Sequence, residues 1–170
     1  MYKRQTYQAA NILLAIGRQG TPRKLGVAGE DQSKVVYRLI DPEQYSGQHV
    51  LVVGGGDSAL EAALAIAEQP GTHVTLSYRS EAFGRVKVRN RERLQEADAA
   101  NELTVHLKSN VKEITPDKVR IELADKKVIE IKNNAVIICA GGVLPTPFLK
   151  EIGVMVETHY GKPVSVPTTS

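Results

Sequence analysis

The sequence has one cysteine, no tryptophan and few other aromatic residues, and each shortage excludes a class of protein. Cys139 stands alone, so neither an internal disulfide nor a CxxC redox pair can form within these 170 residues. Aromatic residues make up 5% of the chain, too few for the stacking platforms of a single-stranded nucleic-acid binder. No run approaches the roughly 18 consecutive apolar residues that a membrane-spanning helix requires.

Neither the net charge nor the spacing of the histidines indicates a particular ligand. The formal net charge of +3 is too small to indicate a nucleic-acid partner by itself. The four histidines are scattered without metal-ligand spacing. Cys139 follows a run of apolar residues, which is typical of a buried strand rather than a reactive thiol. A chain of this length can bury one core, so we predict one domain with attached segments.

The stretch that organises the chain covers residues 48–68. A β-branched apolar run over residues 50–53 reaches three consecutive glycines and then changes directly to a helical pattern, with Leu60 and Leu64 on one face. This order predicts a strand, a tight turn and a helix. A second apolar run over residues 73–78 predicts the next strand, which is the context that a nucleotide-binding turn requires.

The turn carries a dinucleotide-binding fingerprint. Its first two glycine positions are Gly54 and Gly56, and Ala59 takes the third, where a small residue lets helix and strand pack closely. Unpaired N–H groups and the helix dipole at such a turn favour a diphosphate. Asp57 or Ser58 is expected to cap the helix. The predicted diphosphate-binding residues are Gly54, Gly55, Gly56, Asp57, Ser58 and Ala59.

The residues after the second strand bear on the choice between NADPH and NADH. An NAD-preferring domain has an acidic residue about 20 residues after the glycines, which accepts from the ribose 2′-hydroxyl. Here Arg79 and Ser80 stand in that region, and a guanidinium matches a 2′-phosphate instead, so NADPH is favoured. Glu81 keeps NADH possible. The predicted 2′-phosphate ligands are Arg79 and Arg85, with Lys87 and Ser77 as reserves.

Other interpretations of both motifs stay open at this point. The glycine turn could belong to an α/β domain that binds nothing. The basic segment over residues 79–93 could be a solvated loop that leads into a helix. The same segment could bind nucleic acid, although no aromatic residues alternate with its charges in the manner of a stacking platform.

The remaining patterns predict how the chain folds around this unit. Alternating apolar residues after position 110 predict a β-meander with one solvated face, and the apolar run that precedes Cys139 is typical of a parallel strand covered on both sides. Together they predict a Rossmann-like, three-layer α/β domain. The predicted elements are a buried strand over 9–17, a connection over 20–47 with one short helix, a helix over 90–99 capped by Asn90, strands over 103–108, 111–114, 118–123, 127–131 and 135–140, and a short helix from Pro145.

The order of these motifs resembles the pyridine-nucleotide domain of flavoproteins similar to thioredoxin reductase. Residues 54–61, GGGDSALE, match the GGGxxAxE-like phosphate turn of that family. Residues 78–85, YRSEAFGR, match its HRRxxxR-like motif in part, without the His and one Arg, and residues 139–145 match its apolar strand that ends in glycine before a proline. The further cofactor-binding residues that the resemblance implies are Tyr78, Arg79, Ser80, Arg85 and Gly141.

In that family the NADPH domain is inserted into an FAD domain, so the resemblance divides this chain into three parts. Residues 1–30 would end the first FAD-domain half, residues 31–142 would form the NAD(P)H-binding domain, and residues 143–170 would start the second half. The full-length parent is expected to be a cytoplasmic homodimer, with no nucleic-acid or membrane partner, that passes hydride from NADPH to FAD. The fragment alone is expected to be inactive, with no residue acting as general acid, base or nucleophile.

Three features of the family are absent from these residues. The FAD-binding GxGxxG, the Gly-Asp segment that holds the flavin, and the CxxC that precedes the NADPH turn in low-molecular-weight thioredoxin reductases are all missing. Without the CxxC, a dithiol relay through this domain is excluded, and the nearer resemblance is to reductases similar to ferredoxin–NADP reductase or bacillithiol-disulfide reductase. The alternative is a stand-alone NADPH-binding module that regulates without turnover. The final electron acceptor stays open.

Overall fold

The computed structural model of the protein describes residues 6–13, 22–84 and 86–156. Its contacts form two compact units, one of residues 22–141 and one of residues 1–21 with 142–170. Within the described ranges, no helix combines the length and the apolar character needed to span a membrane.

The larger unit contains two sheets and two α-helices. Five parallel strands form one sheet in the order β1-β8-β2-β3-β4, and three antiparallel strands form the other in the order β5-β6-β7. The elements in chain order are β1 (Val35–Val36), a 3₁₀-helix (Glu43–Tyr45), β2 (His49–Val53), α1 (Asp57–Ala67), β3 (His73–Tyr78), α2 (Val88–Ala99), β4 (Leu103–Leu107), β5 (Asn110–Ile114), β6 (Lys118–Glu122), β7 (Val128–Lys132) and β8 (Ala135–Ile138).

The parallel sheet is the middle of three layers. Successive side chains of a strand point to opposite faces, so Val50 and Val52 of β2 pack with α1 and α2, whereas Leu51 packs with the meander. The interior strand β8, which lies between β1 and β2, is buried at all four positions, as the apolar run of a parallel strand covered on both faces requires. The predicted three-layer α/β fold with a parallel sheet and a meander is therefore confirmed.

One strand of the sheet was not predicted. The sequence predicts a connection with one short helix over residues 20–47, and this segment contains the 3₁₀-helix Glu43–Tyr45. It also contains β1, which pairs in parallel with β8 through Val35 to Val136 and Val36 to Ile137. A strand of two residues has no periodicity to detect, and its existence depends on the neighbouring strand that it pairs with.

The smaller unit contains α3 (Thr146–Glu151), which confirms the short helix predicted after Pro145. Residues 6–13 form neither helix nor strand, and Ile12 and Leu13 are exposed. The predicted buried strand is therefore wrong over residues 9–13, and its remainder, residues 14–17, lies outside the described residues. No other strand lies among the described residues of this unit, and an isolated strand cannot satisfy its backbone groups.

Candidate nucleotide-binding site

The candidate site lies at the carboxyl edge of the parallel sheet, where the strand order reverses. From β2 the chain continues to β3 and β4 on one side of the sheet and returns as β8 on the other side of β2. Open α/β sheets bind ligands outside the carboxyl ends of their strands at such a reversal. The predicted glycine turn directly follows β2 at this edge.

Two glycines of the turn are required by packing. Gly54 has a φ of +151°, and a Cβ there would lie 2.5 Å from the carbonyl oxygen of Cys139 and 3.0 Å from the Cβ of Ala59. Its N–H donates to the carbonyl of Ser77 at 3.0 Å, which ties the turn to β3. A Cβ on Gly55 would overlap the ring of Tyr78. The turn therefore sits directly against the ends of three strands.

The third glycine leaves open space. Gly56 has an ordinary φ of −102° as the N-cap of α1, and a Cβ there would meet no atom within 4 Å. In the described part of the chain no acceptor faces the backbone N–H groups of Gly55, Gly56, Asp57 and Ser58. Unpaired donors and the positive end of a helix dipole, beside space that a side chain would fill, suit an anionic group such as a diphosphate.

The helix is not capped as expected. α1 begins at Asp57 without a side-chain capping bond, so the prediction that Asp57 or Ser58 caps it is wrong. The carboxylate of Asp57 accepts instead from the backbone N–H of Lys87 at 2.9 Å and from Nδ2 of Asn90 at 2.8 Å. The hydrogen bond from Lys87, followed by that from Asn90, lowers the pKa of Asp57. The turn donors consequently remain available.

Asn90 joins the two helices. Its side-chain Nδ2 donates to Asp57 and also to Oε1 of Glu61 at 2.9 Å, and Asn90 is 7% exposed. Nζ of Lys87 lies 3.7 Å from the same Glu61 oxygen. The predicted capping role of Asn90 is wrong, because α2 begins at Val88 with Lys87 as its N-cap. We call Asp57, Glu61, Lys87 and Asn90 the helix clamp.

The basic loop, residues 79–87 between β3 and α2, presents one cation without a partner among its described residues. Arg79 is exposed, and no hydrogen bond or ion pair holds its guanidinium among residues of the described ranges. The carbonyl of Ser80 accepts from the N–H of Lys108 at 3.0 Å, and the Glu81 carboxylate lies 2.9 Å from Nζ of Lys108. The hydrogen bond that Nζ of Lys108 donates to the Glu81 carboxylate, followed by the positive charge of Lys108, lowers the pKa of Glu81. Glu81, the acidic residue that could accept from the ribose 2′-hydroxyl of NADH, is therefore paired with Lys108.

The other predicted residues differ in their accessibility. Ser77, a reserve ligand, is 1% exposed, and its hydroxyl shares a 2.7 Å hydrogen bond with that of Ser109, so a ligand cannot reach it. Lys87 is exposed within the helix clamp, and Arg85 lies outside the described residues. Gly141 has a φ of +80°, and its carbonyl accepts from the N–H of Arg23 at 3.0 Å.

Cys139 borders the turn without reactive character. Its backbone N–H donates to Val53 at 2.7 Å, its carbonyl faces Gly54, and its side chain is half-buried. Burial raises the pKa of the thiol to about 11, so it stays protonated near neutral pH. Among residues 6–13, 22–84 and 86–156, no group of three or more His, Cys, Asp or Glu side chains is placed to hold a metal ion.

Sequence reasoning missed the roles of three residues that shape this site. Phe83 stacks on Tyr78, Asn90 joins the helices, and Lys108 holds the basic loop. Phe83 was the detectable one, because it is one of two phenylalanines in the chain and stands within a polar, charged loop. The roles of Asn90 and Lys108 depend on partners far away in sequence, so no local pattern announces them.

The sequence as a whole matches a known family. The profile of the pyridine nucleotide-disulphide oxidoreductases covers residues 2–170. The chain belongs to this family. A ferredoxin–NADP reductase of Ignicoccus hospitalis is 41% identical over 91 residues, which are 54% of this chain and 29% of that protein. The bacilliredoxin reductase Bdr of Bacillus subtilis is 28% identical over 161 residues, which are 94% of this chain and 49% of that protein.

Solved structures of other pyridine nucleotide-disulphide oxidoreductases share the fold. The bacillithiol disulfide reductase Bdr of Bacillus cereus superposes with a TM-score of 0.77 at 26% identity, over 86% of this chain and 45% of that one. Thioredoxin reductase of Streptococcus pyogenes superposes with a TM-score of 0.63 at 30% identity, over 78% and 45%. The predicted resemblance to thioredoxin-reductase-like proteins is confirmed. The chain spans about half the length of these relatives or less.

Proposed function

We propose that the chain is the pyridine-nucleotide-binding part of a flavoprotein oxidoreductase that passes hydride from NADPH to FAD and on to a further acceptor. The observation that carries this proposal is the set of four backbone N–H groups without acceptors, from Gly55 to Ser58, beside the open space at Gly56. These donors lie at the carboxyl edge where the strand order reverses. The names of the relatives, ferredoxin–NADP reductases among them, support the same reaction class.

The diphosphate would bind at residues 54–59. The N–H groups of Gly55, Gly56, Asp57 and Ser58 would donate to its oxygens, and Ala59, which is fully buried, keeps the helix close to the strand. Asp57 places a negative charge next to this anion. Its hydrogen bonds from the N–H of Lys87 and from Nδ2 of Asn90 stabilise that charge and hold the carboxylate towards α2.

The 2′-phosphate would bind at the basic loop. The guanidinium of Arg79 is exposed and has no partner in the described ranges, so binding a phosphate would break no existing ion pair. Arg85 is proposed as the second ligand on its sequence position alone. Glu81 pairs with Lys108 and is therefore less available to a ribose 2′-hydroxyl, which supports NADPH over NADH.

Bound NADPH would supply the hydride and FAD would accept it, so the residues of this chain bind and orient rather than react. No described residue is proposed as a general acid, base or nucleophile. The segments 1–30 and 143–170 are proposed to belong to the FAD domain of a longer parent. A cytoplasmic homodimer as the parent's state is part of the same proposal, and it rests on the resemblance to thioredoxin reductase.

Calorimetric titration of the 170-residue chain tests this assignment. We expect NADPH to bind more tightly than NADH, and 2′,5′-ADP to bind more tightly than ADP by a similar factor, since each pair differs in the 2′-phosphate. Equal binding within both pairs would refute the 2′-phosphate site while leaving the diphosphate site. A folded chain that binds none of the four ligands would refute the proposal.

A further inference from the structure

We propose that Phe83 is a positioning residue that sets the preference for NADPH over NADH, through the stack of its ring on Tyr78. The inference rests on the proposed function, since it concerns the basic loop that would bind the 2′-phosphate. Neither ring needs to touch the nucleotide for this role. Phe83 was not among the residues that the sequence indicated for the site.

The stack connects the basic loop to the glycine turn. Tyr78 is the last residue of β3, and its ring lies so close to Gly55 that a Cβ there would overlap it. The ring of Phe83 stacks on that of Tyr78 with centroids 5.2 Å apart and planes inclined by 10°. Phe83 is 8% exposed and packs in the core between the sheet and the two helices. The turn, Tyr78 and Phe83 therefore form one packed block.

The four residues between the two rings form a short loop with both ends fixed. The ring stack holds residues 78 and 83 together. In between, the carbonyl of Ser80 accepts from the N–H of Lys108, and Glu81 pairs with Nζ of Lys108 at 2.9 Å. Arg79 is the one cation in this loop, and its guanidinium is free of these contacts. The backbone from which Arg79 projects is fixed, while its charged group remains available.

We expect this arrangement to affect the preference for NADPH over NADH more than the stability of the fold. A guanidinium binds phosphate through paired, directional hydrogen bonds, so a loop that moves loses the geometry that distinguishes a phosphate from a hydroxyl. The N–H groups of the glycine turn belong to α1 and its N-cap and would still bind the diphosphate. Loosening the stack should therefore weaken NADPH binding and leave NADH binding largely unchanged.

The test titrates variants of the whole chain with NADPH and NADH. Phe83→Leu keeps an apolar side chain but removes the stacking ring, and Phe83→Met serves if the leucine variant does not fold. Leu103→Ala truncates the same core at the amino end of β4, away from the loop, and controls for lost stability. Thermal melting by circular dichroism accompanies each titration.

We expect Phe83→Leu to weaken NADPH binding by about fivefold or more and NADH binding by less than about twofold, as a loss of bidentate geometry predicts. Leu103→Ala should retain the wild-type ratio of the two affinities, even where its melting temperature falls.

Two results would overturn the inference while the proposed function stands. One is an unchanged affinity ratio in Phe83→Leu or Phe83→Met, with NADPH preferred by the wild type. The other is an equal change of the ratio in Leu103→Ala, because lost core stability rather than the ring stack would then explain the effect on NADPH. A wild-type chain that binds neither cofactor removes the proposed function itself, which separates the two failures.

Discussion

Glycine has different roles at two positions only two residues apart. Gly54 adopts a φ of +151° against the Cys139 carbonyl, so any side chain would strain the backbone and collide. Gly56 has an ordinary φ and open space where a side chain would stand. The dinucleotide-binding fingerprint has glycine at both positions and does not distinguish between them. Packing explains the first glycine, whereas no packing contact requires the second, and its open space suits a bound ligand.

This contrast predicts that alanine destabilises the fold at Gly54 much more than at Gly56. Gly54→Ala should destabilise the fold by about 1–3 kcal/mol through strain and overlap. Gly56→Ala should change stability by less than about 1 kcal/mol, since the lower entropy of the unfolded chain and the poorer N-cap preference of alanine oppose each other. Urea unfolding measures both.

The same Gly56→Ala variant should bind both cofactors less tightly. Its methyl group would fill the space beside the turn donors, and the diphosphate is common to NADPH and NADH. We expect losses of about tenfold or more for each, equivalent to about 1.4 kcal/mol. Full binding of both cofactors by a folded Gly56→Ala chain would place the nucleotide elsewhere.

Arg79 allows a further prediction at this scale. Arg79→Ala should weaken NADPH binding by about 1–3 kcal/mol, the range of charge-assisted hydrogen bonds, and leave NADH binding nearly unchanged. Lys127→Ala removes the same unit of charge in the exposed β6–β7 turn and serves as the control. Similar losses in both variants would mean that general charge attraction, not a local contact, favours NADPH.

At the scale of elements, the helix clamp sets how α1 and α2 pack. The buried Asn90 gives both of its hydrogen bonds to carboxylates of α1. Asn90→Ala should destabilise the fold by about 1–3 kcal/mol, because it leaves two acceptors without this donor. Asn110→Ala, at an exposed position of β5, should change stability by less than about 0.5 kcal/mol. Chemical denaturation that shows equal stability for both variants would contradict the clamp.

The segment before β1 is anchored by one carboxylate. Glu30 is 9% exposed and accepts from the N–H groups of Leu25 and Gly26 at 2.7 Å each and from the Tyr37 hydroxyl at 3.1 Å. Burial alone would raise the pKa of Glu30, but the hydrogen bonds from Leu25, Gly26 and Tyr37 outweigh it and lower the pKa below its ordinary value of 4.5.

Glu30 therefore predicts a loss of stability in acid. A carboxyl with a lower pKa in the folded state stabilises the fold above its unfolded pKa, and this contribution disappears as the pH falls through the folded value. The melting temperature should fall more steeply below pH 4.5 in the wild type than in Glu30→Gln, which should be less stable near neutral pH. Parallel melting curves for the two proteins across this range would exclude the role of Glu30.

At the scale of the whole molecule, cofactor binding and turnover should separate. The larger unit contains the complete candidate site, whereas the chain covers about half of its relatives' length or less. We predict that the 170-residue chain binds NADPH but does not oxidise it, even with added FAD and an artificial electron acceptor. The absorbance of NADPH followed over time measures this. Sustained oxidation of NADPH by the chain alone would contradict the proposal that this chain binds the cofactor and that turnover requires the longer parent.

The two interpretations of the chain, part of a flavoprotein enzyme or a stand-alone NADPH-binding module, predict different flanking gene sequences. The enzyme interpretation expects flavin-binding motifs on both sides of these residues in the parent gene. A start and a stop codon that enclose only these residues would favour a regulatory NADPH-binding module instead. Sequencing of the flanking DNA distinguishes them without any assay of activity.

Local patterns were enough for most of the architecture. The run over residues 50–53, the glycines and the following helical period identified β2, the turn and α1, and alternating residues identified the meander. These patterns are predictive because the periodicity of a strand or helix can be detected from residues that are neighbours in sequence. They did not reveal β1, whose two residues form a strand only because β8 lies beside them.

The position of the glycine turn follows from the order of residues along the chain, as does the cationic character of the loop after β3. The choice of hydrogen-bond partners does not. Asp57 could cap its own helix or bond Asn90, which is 33 positions away, and the packing of α2 on α1 selects Asn90. Likewise, Tyr78 stacks on Phe83 and fits against Gly55 because the strand ends converge there. Periodicity is a local property, whereas contacts between elements exist only after the layers have packed.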